Sequence, residues 1–219
     1  MSTFYTFGFV DLAGFTALTD AHGDQVAAAQ IARLTVLAHK ATTGPTALVK
    51  VVGDAVLLAA GEPEDALRST LELLVACNAE PEFPLARGGL HTGSAVRTGT
   101  DYFGAGVNVA ARVTARAAGG ELLLTTQPAH AAKRLGLLLQ ELGPARLRNV
   151  SEPVELFRLD VAGGQSSTDP VCRMTVERQS AAGMLTHGGH EFWFCSLQCA
   201  AAFAQHPERH AIHSPESPL

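Results

Sequence analysis

The spacing of apolar positions changes character along the first forty residues. In "TFYTFGFVDLAGFTAL" aromatic residues alternate with smaller ones, which predicts a strand ending near Asp11. A turn containing Gly14 follows, and then an Ala-rich helical stretch to about His39. "ALVKVVGDAVLLAA" (47–60) predicts two apolar strands with a short break between them. "EPEDALRSTLELLVACNAE" is amphipathic at helical spacing, with Pro63 near its start and acids in the first turn. "LARGGLHTGSAVRTG" predicts a strand and turn, and "GAGVNVAARVTARAA" a helix behind glycines. "GELLLTT" predicts a short strand, "QPAHAAKRLG" a helix, and "ELGPARLRNVSEPVELFRLD" a closing pair of strands. The order β-α-β-β-α-β with additions is that of an α+β, ferredoxin-like core.

The pattern breaks at "VAGGQSST" (161–168), which reads as a Gly/Ser linker. Beyond it lie 51 residues (219 less 168), carrying three of the four cysteines and five of the nine histidines. A segment that short cannot rely on an apolar core alone and gains from a metal. Residues 211–219, ending in "HSPESPL", are expected to be disordered.

Composition narrows the function classes. A hydrophobic content of 47% suffices for a packed core, and the net charge of −5 argues against nucleic acid as a partner. No apolar run approaches the ~18 residues of a membrane span, and "MSTFYTFGFV" lacks the basic start of a secretory signal. The expectation is a cytoplasmic protein with no membrane association. In that compartment Cys77, Cys172, Cys195 and Cys199 are expected to be buried, reactive or metal-bound rather than disulfide-paired. Lysine is confined to Lys40, Lys50 and Lys133, so a lysine among the valines of a strand asks for a partner.

Asp11 ends a strand, and Asp54 begins the second strand of the hairpin. Each alone has an ordinary use as a cap or turn residue. Together, carboxylates at strand ends can hold hard cations such as Mg²⁺, which are often completed by substrate phosphates. The "LAGFT" turn (Gly14, Phe15, Thr16) offers backbone N–H groups at a helix start, suited to a polyphosphate. Asn108 and Arg112, four residues apart, share a helix face and could orient a sugar and stabilise phosphoryl charge.

On the runs "FVDLAGFT", "VKVVGDAVL", "RGGLHTG" and "DYFGAGVNVAARV", residues 1–160 resemble the catalytic domain of class III nucleotidyl cyclases. That resemblance implies that Asp11 and Asp54 ligate two Mg²⁺ or Mn²⁺ ions per active site, with the Leu12 carbonyl assisting. It implies that Lys50 and Asp101 read the purine, and this donor–acceptor pair fits adenine; guanylate cyclases typically carry Glu and Cys there. Asn108 would orient the ribose and Arg112 would stabilise the transition state. Arg146 or, by preference, Arg148 would hold the triphosphate, and His91 is expected to be a packed strand residue. Two chains would pack head to tail as a homodimer and share residues across each site. The implied reaction is ATP to 3′,5′-cyclic AMP and pyrophosphate. The alternatives are a nucleotide-binding signalling domain with little turnover, against which the complete residue set speaks, and a guanylate cyclase.

The tail cysteines follow Cys-x22-Cys-x3-Cys, with Cys195 and Cys199 one helical turn apart. Such thiolates suit Zn²⁺ or Cu⁺ and leave one tetrahedral position for another ligand. "DPVCRM", "FWFCSLQC" and "HPERH" resemble a YHS domain over 169–210, with Arg173 where that family usually has Gly and Trp193 where Tyr is common. His190 is expected as the fourth ligand, with His187 as the other candidate.

Overall fold

The computed structural model describes residues 3–42, 44–161 and 166–211. Strand β1 (Thr3–Leu12) is followed by α1 (Phe15–Ala41), the hairpin β2 (Ala47–Val52) and β3 (Ala55–Ala60), then α2 (Pro63–Asn78) and β4 (Ala86–Thr98). The short β5 (Asp101–Phe103) leads to α3 (Ala105–Thr114), β6 (Glu121–Leu124), α4 (Thr126–Arg134), β7 (Gln140–Ala145) and β8 (Val154–Asp160). The sheet runs β2-β3-β1-β4-β6-β8-β7, with β5 paired to the end of β4. Its half β2-β3-β1-β4 is antiparallel throughout, the ferredoxin-like order expected from the sequence. Strand β6 lies parallel to β4 because α3 crosses over between them.

Strand β1 is hydrogen-bonded on both edges, so its alternation serves two cores. Val10 and Leu12 are buried with Leu34 of α1, Leu67 and Leu74 of α2 and Ala132 of α4. Phe7 points the other way, into a cluster with Leu57, Tyr102 and Ala110 of α3. Full burial of each such Leu or Phe is worth roughly 1.5–3 kcal/mol. The layer of α1, α2 and α4 thus covers one face, and α3 with β5 covers the other.

Helix α1 was expected to be unbroken, but Gly23 interrupts it with φ 80° and ψ 169°. A Cβ at Gly23 would meet nothing within 4 Å, so the positive φ and not crowding calls for glycine there. Residue 22 therefore closes a short first segment of the helix.

The second module comprises β9 (Ser166–Thr168), β10 (Thr175–Glu177), the hairpin β11 (Gly183–His187) and β12 (His190–Phe194), α5 (Leu197–Gln205) and α6 (Pro207–His210). Residues 166–168, expected to belong to the linker, instead pair with β10; linker residues 162–165 and tail residues 212–219 lie outside the described residues. Phe203 stacks on Phe192 and Phe194 at centroid separations of 4.7 and 5.3 Å. That small core is completed by Leu18 and Ala27 of α1. The Thr175 amide donates to the Phe83 carbonyl at 3.1 Å, and Pro84 bridges Met174, so backbone contacts also join the modules. Among the described residues no helix is long and apolar enough to cross a membrane.

His91 in β4 packs as expected, with Nδ1 3.0 Å from the Thr125 hydroxyl, and burial pulls its pKa down to about 4. The unfolded chain takes up this proton near pH ~6.5. Between those values the unfolded state binds more protons, so this contribution to stability is present above pH ~6.5 and is lost as pH falls towards 4. Denaturant unfolding at pH 7 and pH 5 should show a larger loss for the wild type than for His91→Gln; equal losses would contradict burial of a neutral imidazole.

Candidate functional site

Period-2 alternation in β1 places Asp11 on the same face as Phe7 and Phe9, the α3 face. Asp11 lies in register with Ala55, the residue after Asp54, and the Leu12 amide donates to the Asp54 carbonyl at 3.2 Å. The sheet thus brings the two expected carboxylates together at one strand end. Burial, and then the charge of Asp11, push the Asp54 carboxyl above its usual range. A half-buried pair of like charges is the donor chemistry that a hard cation neutralises.

A residue not singled out from the sequence sits on this pair. Arg87 of β4 faces Asp11 across the ladder and grips it in a fork, Nε to Oδ1 at 2.8 Å and Nη2 to Oδ2 at 3.1 Å. Its Nη1 also donates to the Ala117 carbonyl at 3.2 Å. Only the β1–β4 register identifies this pairing.

On the same face, Lys50 Nζ meets Asp101 Oδ2 at 2.8 Å. Lys50 is in register with Leu57, which is buried under α3, and Asp101 closes the β4–β5 pair opposite Thr98. The Lys50 hydrogen bond, followed by the Tyr102 amide, holds the Asp101 carboxyl below its usual range. Asn108 and Arg112 share one face of α3, with Arg112 Nη1 3.4 Å from the Asn108 carbonyl. Leu147 of the β7–β8 loop is buried against Val109 and Val113 of α3, bringing exposed Arg148 to the flank of that helix. Among the described residues no hydrogen bond or ion pair joins the Lys50–Asp101 pair, Asn108 or Arg112 to Asp11 or Asp54.

Gly14 caps α1 in a left-handed conformation (φ 74°) and, having no side chain, leaves the first-turn amides of Phe15 and Thr16 without a side-chain cap from that position. Against Gly14 lies Arg173 of the second module: a Cβ at Gly14 would collide with Arg173 Cγ and Cβ.

The cysteines form the second centre. Cys172 and Cys195 sulfurs are 3.4 Å apart, and Cys195 and Cys199 3.8 Å. Asp169, fully buried, gathers the segments that carry them by accepting the amides of Val171 (2.8 Å), Cys172 (3.3 Å) and Cys195 (2.8 Å). Ser196 caps α5 by accepting the Cys199 amide. The neighbouring thiols of Cys172 and then Cys195 hold Cys199 far below the usual thiol range, while Cys195, then Cys199 and burial, push Cys172 up. The expected fourth ligand is corrected: His190 and His187 face each other, exposed, across the β11–β12 turn, outside the cluster. The histidine at the thiols is His22 of α1, with Nε2 at 3.6 Å from Cys195 and 3.7 Å from Cys199.

A YHS domain model matches residues 167–214. A "pH-sensitive adenylate cyclase" of Mycobacterium tuberculosis is 36% identical over 162 residues, 70% of this chain and 40% of that protein. An adenylate cyclase of Glutamicibacter nicotianae is 30% identical over 160 residues, 71% of this chain and 40% of that protein. This chain thus spans well under half the length of these relatives. Among solved structures, a Trypanosoma brucei adenylate cyclase in its monomeric state covers 74% of this chain and 91% of its own, with a TM-score of 0.63 and 25% identity. The adenylyl cyclase CyaB of P. aeruginosa shares the fold, with a TM-score of 0.60 at 20% identity, covering 72% of this chain and 94% of its own. The first module is a class III nucleotidyl cyclase domain. Adenylate cyclase relatives and class III cyclase structures cover that module, and a YHS domain follows it.

The Arg87–Asp11 fork, about a quarter exposed on each side, should outweigh an ordinary surface pair. A double-mutant cycle of Arg87→Met with Asp11→Asn, read by unfolding free energy without divalent ions, should give a coupling of ~1–2 kcal/mol, against ~0.2–1 for exposed pairs. A coupling near zero would mean that the fork does not persist in solution.

Proposed function

We propose that this chain is a homodimeric adenylate cyclase of the cytoplasm, converting ATP to 3′,5′-cyclic AMP and pyrophosphate, with a metal-binding C-terminal module that tunes it. The observation that carries this reading is the sharing of one sheet face by the Asp11–Asp54 carboxylates and the Lys50–Asp101 pair. On this reading the catalytic domain spans 1–160, and the metal module has begun by Ser166.

Asp11 and Asp54, with the Leu12 carbonyl, would hold two Mg²⁺ or Mn²⁺ ions. Those ions supply activation of the ribose 3′-hydroxyl and charge neutralisation on the triphosphate. Arg87 holds the Asp11 carboxylate in orientation until a cation competes for it. Lys50 donates to N1 of adenine and Asp101 accepts from its N6 amine; guanine presents the opposite pattern on that edge. The first-turn amides at Gly14, Phe15 and Thr16 receive phosphate oxygens. Asn108 orients the ribose, Arg112 places its guanidinium on the reacting phosphoryl group, and Arg148 contacts the triphosphate. On this reading a second copy, packed head to tail, completes each site.

Purified full-length protein should make cyclic AMP from ATP with Mg²⁺ or Mn²⁺ and far less cyclic GMP from GTP. Asp54→Ala should bring turnover below detection, and Lys50→Glu with Asp101→Cys should weaken the preference for ATP. Mixing Asp54→Ala with Arg112→Ala, each inactive alone, should restore up to about a quarter of wild-type activity, because half the random dimers keep one of two sites intact. Inactive mixtures that contain demonstrable heterodimer would overturn the shared site. Silence of dimeric wild type with both nucleotides would favour a binding domain without turnover.

A further inference from the structure

The three thiols belong to the second module, whereas the imidazole beside them belongs to the first. We propose that His22, Cys172, Cys195 and Cys199 form one tetrahedral Zn²⁺ site that clamps the two modules together and fixes Arg173 over the Gly14 turn. This deepens the reading of the tail cysteines as metal ligands and rests on it.

The donor geometry fits the ion. Zinc bonds of about 2.3 Å to sulfur and 2.0–2.1 Å to nitrogen give tetrahedral edges of roughly 3.8 Å between sulfurs and 3.6 Å from sulfur to nitrogen. Four of the six donor–donor edges measure 3.4, 3.8, 3.6 and 3.7 Å, and all donor atoms lie within 4.8 Å of one another. Three sulfurs and one imidazole nitrogen make a closed, structural type of zinc site with no position left for water. A cavity of about 300 Å³ between α1 and α5, lined by Cys199 with Asp20 and His210, adjoins the cluster.

The backbone is arranged around this junction. The break at Gly23 ends the first segment of α1 directly after His22. Asp169 holds Cys172 and Cys195 by their amides, the supporting layer that a metal site needs. The four ligands therefore come from three separately braced segments, and they meet beside the shared apolar core of Leu18, Phe194 and Phe203.

Two ligands also lead to the phosphate-binding turn. His22 closes the helical segment that begins at Phe15, and Cys172 immediately precedes Arg173, whose stem rests on Gly14. An ion bound to both fixes the start of α1 from its far end and from above. Loss of the ion releases both restraints, so zinc occupancy regulates the order of this turn.

Zinc content and affinity, the latter by competition with a chromophoric chelator, should give one ion per wild-type chain. His22→Ala should weaken affinity by at least ~100-fold, beyond the loss typical of supporting residues, while His190→Ala leaves it unchanged. His22→Cys should restore tight binding and alter the Co²⁺ d–d spectrum, which a packing role for His22 would not produce. Hydrogen exchange of residues 14–22 should accelerate on zinc removal in the wild type. Unchanged affinity in His22→Ala, with Cys195→Ser losing the ion, would confine the site to the tail and overturn the clamp alone. A wild type without zinc affinity would overturn the tail metal site as well.

Discussion

Everything in the first module is referred to the pairing of β1 on both of its edges. A strand bonded to β3 on one side and β4 on the other cannot slip by one residue without exchanging its two faces. That constraint sends Val10 and Leu12 into the core under α1 and α2, and leaves Phe7, Phe9 and Asp11 on the α3 face. The same ladder sets Arg87 opposite Asp11 and Ala55 beside it, so Asp54 arrives at the strand end, where its carbonyl accepts the Leu12 amide. The apolar alternation that stabilises the sheet and the placement of the charged residues are one requirement.

Much of this was legible along the chain, because the informative pairs are local or belong to long runs. The hairpin around Asp54 and the helix bearing Asn108 and Arg112 could be anticipated from residue order, whereas Lys50 and Asp101 came together only through the family resemblance, as two readers of one base. Arg87 could not, since its meaning depends on a strand register that the sequence does not print. His190 and His187, the candidates the sequence offers beside the aromatic pair, are turned out to solvent across the hairpin from one another. His22 stands 150 residues before Cys172 (172 less 22), and no local spacing connects them. Gly23 was the one available hint, a helix-breaking residue inside an otherwise Ala-rich helix.

The second module does not close its own core. Phe192, Phe194 and Phe203 supply most of the apolar surface, but Leu18 and Ala27 of α1 finish it. A unit this short buries too small a fraction of its surface to stand alone comfortably. Borrowing a helix from its neighbour solves that problem and makes the relative position of the modules part of the stability of the smaller one. Whatever loosens the thiol cluster therefore loosens the packing on α1 too.

Arg173 tests whether that docking is incidental. It has φ 66°, a left-handed conformation that costs a non-glycine residue roughly 1–2 kcal/mol, at the position where related modules usually have Gly. Its amide donates to the Asp169 carbonyl at 2.9 Å, so the turn is held by the scaffold that positions the cysteines. An arginine there is half-buried, which opposes its charge. The compensation visible in the structure is its stem on Gly14, a position where any larger residue would collide with it. Glycine at 14 and arginine at 173 are thus complementary: the first module omits a side chain where the second inserts one. A module attached only to hold metal would have no use for that exchange. One that reports metal occupancy to the start of α1 needs a contact of this kind, since the cluster itself touches the first module through His22 at the opposite end of the same short segment.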